Sequence, residues 1–350
     1  MRDRAPATIA VDAMGGDHGP RVIVEGAVAA VRELGVRAML VGSGSQIQEE
    51  IRRSRATTLP IEVVEAPEVI EMHEHPAMAL RRKPGASIVI ATEQVRRGRA
   101  AAVVSAGHTG AAMGAAHLIL GRVPGIDRPA IAAVLPTSTG TPVVLLDVGA
   151  NVDCRPHHLL QFALMGNVYA REVLGISTPR VGLVSNGEEE TKGNDVTIRA
   201  AGLLRGAPVR FVGNVEGRDV LLGAADVAVC DGFVGNVILK FGEGMALALR
   251  ETVRAELRGW RGRLLLVYLA PALGVARRVW KRLDYREYGG APLLGINGVC
   301  VVAHGRSGAR AIRNAIRVAA EATDHDLPGR IGEAVGETIP VAAPGIGASR

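Results

Sequence analysis

The segment AAVVSAGHTGAAMGA, residues 101–115, decides the fold that this sequence predicts. Its first five residues form a short apolar run that ends at Ser105, as expected of a buried strand. Gly107 and Gly110 then allow a tight turn into an alanine-rich stretch that favours a helix. A strand that passes through a glycine-bearing loop into a helix is the unit from which α/β sheets are built.

The same unit recurs along the chain. Helical spacing of apolar residues is found over 22–34, 157–174 and 310–322, between apolar runs rich in Val, Ile and Ala. Because these runs are apolar on both faces, they predict a mostly parallel sheet covered by helices on both sides, in three layers. The nine predicted strands are 8–13, 37–41, 101–105, 131–135, 142–147, 180–184, 208–212, 226–230 and 299–303.

The composition limits the class of protein. The chain has 350 residues, of which 48% are hydrophobic, so a large core is possible and general disorder is excluded. The net charge of +6 permits an anionic partner without selecting one. Aromatic residues are only 3% of the chain, which argues against binding of single-stranded nucleic acid by base stacking. The three cysteines form no CxxC pair, which argues against a disulfide scaffold or a zinc ribbon.

The chain ends and one apolar stretch bear on location. The N-terminal residues lack the long apolar region of a signal peptide and predict a cytoplasmic protein. The apolar stretch 264–276 is too short to cross a bilayer, which takes about 20 residues. Basic residues flank it over 254–282, a pattern that fits contact with an anionic membrane surface, a dimer interface whose outer faces are charged, or both together. The residues predicted to touch the membrane are Leu264, Leu265, Leu266 and Leu269.

Three glycine-bearing loops contain the side chains suited to chemistry. Ser105 and Thr109, with the free amides of the following helix, could form an anion site, although glycine-assisted packing would need the same residues. Lys192 lies between two glycines in the loop 186–195, where its ammonium could reach an anion. Asn236 could cap the helix that follows it or donate to a ligand.

Other site types lack their motifs. The segment VGSGSQI, 41–47, lacks the third glycine of a dinucleotide-binding fingerprint. His73 with His75 and His157 with His158 have no metal-ligand spacing such as HExxH, so no metal is predicted. No GxSxG motif supplies a nucleophile. The sequence therefore predicts no cofactor and no covalent catalysis by Ser or Cys.

Seven motifs in order along residues 8–325 carry a resemblance to a known family: DAMGGD, SAGHTGA, LLDVGAN, GEEETKGN, GNVEGRD, CDGFVGN with the following LK, and GGAPLLGINGVCVVAHGRS. Together they resemble the bacterial phosphate acyltransferase (PlsX) family. The resemblance implies transfer of a long-chain acyl group from acyl carrier protein to inorganic phosphate, which gives acyl phosphate for phospholipid synthesis. It also implies a homodimer that associates peripherally with the membrane.

The resemblance implies an architecture as well: two lobes around a cleft, similar to the isocitrate and isopropylmalate dehydrogenase fold. The first lobe is expected to comprise residues 1–152 and 292–330, and the second lobe 153–291, including a helical hairpin over 245–285. A disordered tail is predicted from 331 to 350.

Site residues follow from the same motifs. Lys192 and Asn236 fall on the catalytic positions of the family. His108 and Ser185 stand where the family usually has Asn. The residues predicted to bind phosphate or the acyl group are Gly15, Gly16, Asp17, Ser105, Gly107, His108, Thr109, Gly110, Asp147, Asn151, Asn214 and Asp231.

Two basic clusters are candidates for docking the acidic carrier protein, although solvation alone would also explain them. The candidate docking clusters are Arg81, Arg82 and Lys83, and Arg96, Arg97 and Arg99.

Two other functions are also compatible with parts of the sequence: an NAD-dependent β-decarboxylating dehydrogenase of the same architecture, and a non-catalytic membrane scaffold that only binds acyl carrier protein.

Overall fold

The computed structural model describes residues 6–258 and 289–338. Within them lie the strands β1 Thr8–Asp12, β2 Arg37–Gly42, β3 Ile61–Glu65, β4 Ala102–Ser105, β5 Ala130–Leu135, β6 Val143–Leu146, β7 Arg180–Val184, β8 Arg210–Val215, β9 Val227–Val229, β10 Ala291–Leu294 and β11 Val299–Val302. They form one mixed sheet in the order β3-β2-β1-β4-β11-β10-β5-β6-β9-β7-β8. The predicted α/β class is confirmed.

Helices connect these strands. The α-helices of the described residues are α1 Arg21–Leu34, α2 Gly44–Arg53, α3 Pro76–Arg82, α4 Ser87–Arg96, α5 Thr109–Ala115, α6 Pro156–Glu172, α7 Asp195–Arg205, α8 Gly217–Leu222, α9 Gly232–Arg258, α10 Ala309–Asp324 and α11 Leu327–Thr338. A π-helical turn, Ala116–Leu120, continues α5.

The helices cover the sheet on both faces. Alternate residues of each strand point to opposite sides, so that Ile9 and Val11 of β1 join one apolar cluster and Ala10 joins the other. The first cluster takes in the apolar faces of α1, α2, α6, α7, α10 and α11. The second takes in α3, α4, α5 and α8, with the first turns of α9 packed against it. The three layers that the sequence predicts are present.

The direction of the strands reverses within the sheet. Seven of the ten described strand pairs are parallel, and the three antiparallel pairs are β11–β10, β10–β5 and β5–β6. As a result β6, β9, β7 and β8 run opposite to β1, β2, β3, β4 and β11. The loops that follow these two sets of strands therefore leave the sheet at opposite edges, whereas a wholly parallel sheet would gather them at one carboxyl edge.

Several boundaries differ from those that the sequence predicts. The strands β3 and β10 were not predicted, because β3 is only half-buried and β10 contains Pro292, a residue that disfavours a strand assignment. β8 begins two residues later than predicted and continues to Val215. The chain is helical to Thr338, with Ile331 and Val335 buried, so the predicted disorder does not hold for residues 331–338.

The helix α9 is apolar over most of its length. By length and composition alone, residues Gly232–Leu257 meet the criterion for a membrane-crossing helix, with a mean hydropathy of 1.3 over the most apolar window, of which 11% is buried. The hairpin predicted over 245–285 falls largely on 259–288, outside the described residues, as do Leu264, Leu265, Leu266 and Leu269.

An ion pair joins β7 to β9 at the start of both strands. Arg180 donates from Nε to Asp226 Oδ2 at 3.0 Å and from Nη2 to Oδ1 at 2.9 Å, and its guanidinium also reaches the carbonyls of Gly223 and Ala224. Burial raises the pKa of Asp226, but the hydrogen bonds and charge of Arg180 outweigh it and leave the pKa below its ordinary value.

We expect Asp226→Asn to lower the free energy of unfolding at pH 7 by about 2 kcal/mol, because it leaves the guanidinium half-buried without its carboxylate. The lowered pKa means that the wild-type advantage is complete above the unfolded-state pKa of about 3.9 and is lost as the pH falls through the folded-state pKa. Urea denaturation at pH 7 and at pH 3 measures both effects. A difference between wild type and variant that is as large at pH 3 as at pH 7 would contradict this assignment.

Candidate active site

The loops that follow β1 and β4 touch through their main chains. A methyl group placed on Gly15 would lie 2.6 Å from the backbone nitrogen of Gly107, so position 15 needs glycine. Beneath them the buried Ser105 hydroxyl donates to Asp12 Oδ2 at 2.7 Å and accepts from the Gly107 N–H at 3.1 Å. Burial raises the pKa of Asp12, and the hydrogen bonds from the surrounding hydroxyls and amides oppose that rise. Ser105 and Gly15 thus shape the loop from below.

The loop after β11 closes against the loop after β1. The Asp17 N–H donates to the Gly305 carbonyl at 2.9 Å. Gly16 has a φ of +88°, a conformation that favours glycine, and a side chain there would approach the same carbonyl. Three loops from the adjacent strands β1, β4 and β11 are therefore held together at one edge of the sheet.

The helix α5 begins within this group of loops. His108 is its N-cap, and His108 Nδ1 accepts from the Gly110 N–H at 3.1 Å. Thr109 is exposed, and no described residue accepts a hydrogen bond from the N–H of His108 or of Thr109. Two main-chain donors therefore remain for a ligand, whereas the Gly110 amide is already bonded to the histidine.

Asp147 is a fully buried carboxylate at the end of β6. Its Oδ1 accepts from the N–H groups of Ile131, Gly149 and Ala150, at 3.0, 3.3 and 3.1 Å. Its Oδ2 accepts from the backbone and the side-chain amide of Asn151, at 2.6 and 3.0 Å. Burial raises the pKa of Asp147, while these donors oppose the rise. Five donors use the acceptor capacity of one carboxylate, so Asp147 holds the loop together and leaves no oxygen for a substrate.

The start of α9 rests on the same loop. Gly232 N–H donates to the Asn151 carbonyl at 2.7 Å, and Asp231 Oδ1 accepts from the Val234 N–H at 2.9 Å as a helix cap. A methyl group on Gly235 would lie 1.9 Å from the Asp147 carbonyl oxygen, which requires glycine there. These contacts fix the first turn of α9 and present Asn236 to the space beyond.

A cavity of about 370 Å³ lies between the three loops and α9, on the sheet face that carries α3, α4 and α5. Apolar side chains of β5 form its floor, with Leu239 of α9 and the end of β11 beside them. Polar groups form the opposite wall: Asp17, Gly107, Thr109, Asn236, Lys240, Glu243, His304, Gly305, Arg306 and Ser307. An apolar floor opposite a wall that carries amides, hydroxyls, two cations and two carboxylates can take a ligand that is part hydrocarbon and part polar.

The loop that contains Lys192 follows β7. Asn214 holds it by donating from its side-chain amide to the Glu189 carbonyl at 2.8 Å, and Glu190 pairs with Arg205 at 3.0 Å. Within the described residues no carboxylate pairs with the exposed ammonium of Lys192. Lys192 does not line the cavity of the single chain.

The predicted binding residues thus fall into three groups. Four predicted residues line the cavity: Asp17, Gly107, Thr109 and Asn236. Lys192 and Asn214 lie in and under a separate loop. The remainder support the cavity from behind, through packing or hydrogen bonds: Gly15, Gly16, Ser105, His108, Gly110, Asp147, Asn151 and Asp231.

Six wall residues were not among the predicted site residues: Lys240, Glu243, His304, Gly305, Arg306 and Ser307. Lys240 and Arg306 bring positive charge, and His304 and Ser307 bring hydrogen-bonding groups. Lys240 Nζ lies 3.2 Å from Glu243 Oε2, while Arg306 has no ion-pair partner within the described residues. All of these residues except Glu243 lie within the motifs CDGFVGN with LK and VVAHGRS. The signal was therefore in the sequence but was not resolved to single residues.

No cysteine in the chain is a candidate nucleophile. Burial raises the pKa of Cys154 to about 12 and that of Cys300 to about 12, and it raises that of Cys230 as well. All three are free thiols that are protonated at neutral pH. This agrees with the absence of a nucleophile motif.

One histidine cluster lies apart from the cavity. The potential ligand atoms of Asp127, His157 and His158 are within 4.8 Å of one another. His157 Nε2 pairs with Asp127 at 2.9 Å, and His158 Nδ1 accepts from the Arg155 N–H at 3.1 Å. A neutral His158 that accepts through Nδ1 carries its proton on Nε2, so the ring serves as a helix cap rather than a metal ligand in this arrangement.

Comparison with known proteins assigns the sequence to a family. A family model described as "Fatty acid synthesis protein" matches residues 7–330. A protein named phosphate acyltransferase from Pelotomaculum thermopropionicum is 57% identical over 320 residues, which cover 91% of this chain and 92% of that protein.

Solved structures share the fold at low sequence identity. The EutD phosphotransacetylase from Staphylococcus aureus superimposes with a TM-score of 0.59 at 16% identity, covering 91% of this chain and 94% of that one. A 4-hydroxythreonine-4-phosphate dehydrogenase from Klebsiella pneumoniae gives 0.56 at 14% identity, covering 92% and 99%. These likenesses place the mixed α/β sheet among folds related to the dehydrogenases.

Proposed function

Because the chain belongs to the phosphate acyltransferase family, we infer that its cavity is where an acyl group passes to phosphate. The protein is an acyltransferase of phospholipid synthesis. The dehydrogenase and the non-catalytic scaffold are set aside, because the relatives that cover most of the chain carry the acyltransferase name. What remains to be proposed is the donor, the residues that act and the assembly.

The division of the cavity supports a fatty acyl donor. Ile131, Ala133 and Leu135 alternate along β5 and turn the same face toward the cavity. Their apolar floor removes hydrocarbon from water, which favours a long acyl chain over a short polar one. We place the thioester between this floor and Asn236, with acyl carrier protein as the donor. The single observation that carries the proposal is this juxtaposition of an apolar floor and an anion-binding wall.

Phosphate is placed at the opposite wall. The free N–H groups of His108 and Thr109 and the guanidinium of Arg306 supply donors and positive charge there. Asp17 lies on the same wall, and its N–H is tied to Gly305, so its carboxylate limits how close an anion can approach from that side. The loops are fixed by main-chain contacts before any ligand binds, which reduces the reorganisation that binding requires.

The reaction needs no nucleophile from the protein. A phosphate oxygen attacks the thioester carbonyl carbon and forms the new carbon–oxygen bond, and the carbonyl oxygen becomes an oxyanion. When the oxyanion collapses, the carbon–sulfur bond breaks, and the carrier's sulfur leaves as a thiolate that takes a proton from water. The site contributes by holding the two reactants at the correct distance and by stabilising the oxyanion.

Asn236 is proposed to donate its side-chain amide to that oxyanion, since α9 presents it between the floor and the wall. Lys192 is proposed to offset the negative charge of phosphate. Because Lys192 does not line the cavity of its own chain, its contribution requires either delivery by a second copy or a movement of the loop after β7.

We propose a homodimer through α9. The exposed apolar residues Phe233, Val237, Phe241, Met245, Leu249 and Val253 follow one another at intervals of four along this helix. Such a row is a ridge that packs into the groove of a second helix, and the same row on two copies forms a self-complementary interface. Phe241 is 69% exposed in the single chain, which is unusual for a phenylalanine without a partner.

The lobes and the membrane are part of the same proposal. β7, β8 and β9 form one end of the sheet, which supports a second lobe over 153–291 beside a first lobe of 1–152 and 292–330. A cytoplasmic enzyme whose segment 254–282 touches an anionic membrane surface would deliver acyl phosphate where lipid is made.

The reaction is tested with acyl carrier protein thioester and phosphate, by trapping acyl phosphate with hydroxylamine. We expect Asn236→Ala to lower kcat by about a hundred-fold, the usual cost of removing one oxyanion donor, and Lys192→Ala to lower it comparably. Thr191→Ala, an exposed neighbour in the same loop as Lys192, serves as the control and keeps wild-type turnover.

Mixed dimers of the Asn236→Ala and Lys192→Ala variants separate the two ways in which Lys192 can act. Activity returns on mixing if the lysine is delivered by the second copy, and it stays absent if both residues belong to one chain. A Lys192→Ala protein that is folded and turns over normally would show that the lysine has no catalytic role.

The dimer is tested with Phe241→Glu, which places a charge in the middle of the apolar ridge of α9. We expect wild type to sediment as two chains and the variant as one at micromolar concentration, because an unpaired buried charge is costly. Leu222→Glu, at an exposed leucine of α8, is the matched control and stays dimeric. A wild-type protein that sediments as a single chain would overturn the dimer proposal.

Membrane contact is tested by flotation with vesicles that contain anionic lipid. We expect the wild-type protein to bind these vesicles and high salt to weaken that binding. The double variant Leu265→Glu with Leu266→Glu is expected not to bind. Unchanged flotation of the variant would remove the tip of 254–282 from the membrane proposal.

A further inference from the structure

The structure separates the two basic clusters of the sequence by what their side chains contact. On α4, Arg96 and Arg97 both lie near Glu93, at 2.7 and 3.6 Å. Arg99 pairs with Glu62 and also donates to the Gln94 side chain. The charge of this second cluster is therefore largely used within the protein, and less of it is available to attract an acidic partner.

The first cluster is different. Lys83 is engaged, because its Nζ lies 2.6 Å from Glu74 and donates to the Val69 carbonyl at 2.7 Å. Arg81 and Arg82, in the last turn of α3, are exposed and have no ion-pair partner within the described residues. Two consecutive arginines without an ion-pair partner therefore lie at the C-terminal end of this helix.

The position of α3 connects these groups to the cavity. Pro76 packs against Gly110 and Leu80 against Gly114, at positions where a methyl group on either glycine would lie within 2.8 Å of the α3 side chain. Glycines four residues apart give α5 a groove, and α3 lies in it. The helix α5 begins at Thr109 in the cavity wall, so α3 is held rigidly beside that wall.

Apolar side chains continue the surface from α3 to the cavity. Met72, four residues before α3, lines the cavity and is 57% exposed, and Met78 on α3 is 49% exposed. Flexible thioether side chains adapt to the shape of a partner. We define the α3 surface as Met72, Met78, Arg81 and Arg82.

We propose that the α3 surface docks the acidic carrier protein that brings the acyl thioester to the cavity. The inference rests on the proposed function and specifies how its donor is recognised. The two arginines attract the acidic surface of the carrier, and the methionines cover the apolar contact nearer the cavity, into which the thioester then extends. The rival cluster on α4 is excluded as the main contact because its arginines are already paired.

The test is steady-state kinetics with two donors, the acyl carrier protein thioester and the same acyl group on free pantetheine. For Arg81→Glu with Arg82→Glu, we expect KM for the carrier thioester to rise by roughly ten-fold or more, with kcat and KM for phosphate unchanged. Turnover of the pantetheine thioester stays at the wild-type level. Added salt raises KM in wild type and has a much smaller effect in the variant.

The matched control is Arg96→Glu with Arg97→Glu, which reverses the same amount of charge on α4. We expect KM for the carrier thioester to stay within about two-fold of wild type, because these charges lie outside the proposed contact with the carrier protein. Arg81→Gln with Arg82→Gln gives a smaller loss in the same direction and guards against misfolding of the reversed variant. Equal losses with both donors would show a structural effect and overturn the docking surface. So would a normal KM in the α3 variant, or a loss confined to the α4 variant.

The proposed function fails in a different way. If the wild-type protein forms no acyl phosphate from the carrier thioester, the donor assignment is wrong, and the docking surface is overturned with it. If wild type turns over the carrier thioester and charge reversal on α3 leaves that turnover unchanged, only the docking surface is overturned.

Discussion

The buried carboxylate of Asp147 is the constraint on which the cavity depends. It accepts hydrogen bonds from the start of β5, which forms the cavity floor, and from the loop 149–151, on which α9 rests. The Asp147 carbonyl lies so close to Gly235 that only glycine fits there, and Asn236 follows directly. One side chain therefore fixes the floor relative to the wall that carries the amide. Its burial is tolerated because five donors surround it.

Two carboxylates, those of Asp17 and Glu243, line the cavity wall, where they repel an anionic substrate. The carboxylates of Asp12, Asp147 and Asp231, in contrast, accept hydrogen bonds from main-chain or hydroxyl donors. They act through geometry, by setting the loops from which N–H groups project. The protein can then work with main-chain donors, one amide and a few cations. This fits a reaction in which the substrate itself is the nucleophile and the protein's contribution is to position and stabilise.

The sequence predicted the layers of this fold but could not predict the directions of the strands. Apolar runs such as 101–105 and 180–184 show that a strand is buried on both faces, and glycine after each shows where it ends. Nothing in such a run reveals which way it points relative to a distant neighbour. The strand β10 is antiparallel to both of its neighbours, so β5 again runs with β1, and the lasting reversal lies between β5 and β6. For that reason the loops of Lys192 and Ser105, each correctly placed after a strand, leave the sheet at opposite edges instead of the single edge that parallel strands would give. The role of Asp147 could not be predicted for a related reason. Its hydrogen-bond donors come from Ile131 and from its own loop, and the contact with Ile131 depends on the order of the strands in the sheet.

The charge of the sequence likewise does not predict where charge is available to a partner. The net charge of +6 describes the whole chain, but many of the surface arginines among the described residues are paired, as with Arg53, Arg96 and Arg317. An exposed ion pair contributes little to stability, but it removes its arginine from the field that a partner experiences at a distance. What a partner meets is therefore the set of unpaired cations, and where they stand matters more than how many the chain contains. Arg81 and Arg82 are unpaired, adjacent and held beside the cavity by a helix that cannot shift without losing its contacts to Gly110 and Gly114. A rigid, charged surface at the entrance of a cavity attracts an acidic partner and also sets the orientation in which that partner arrives.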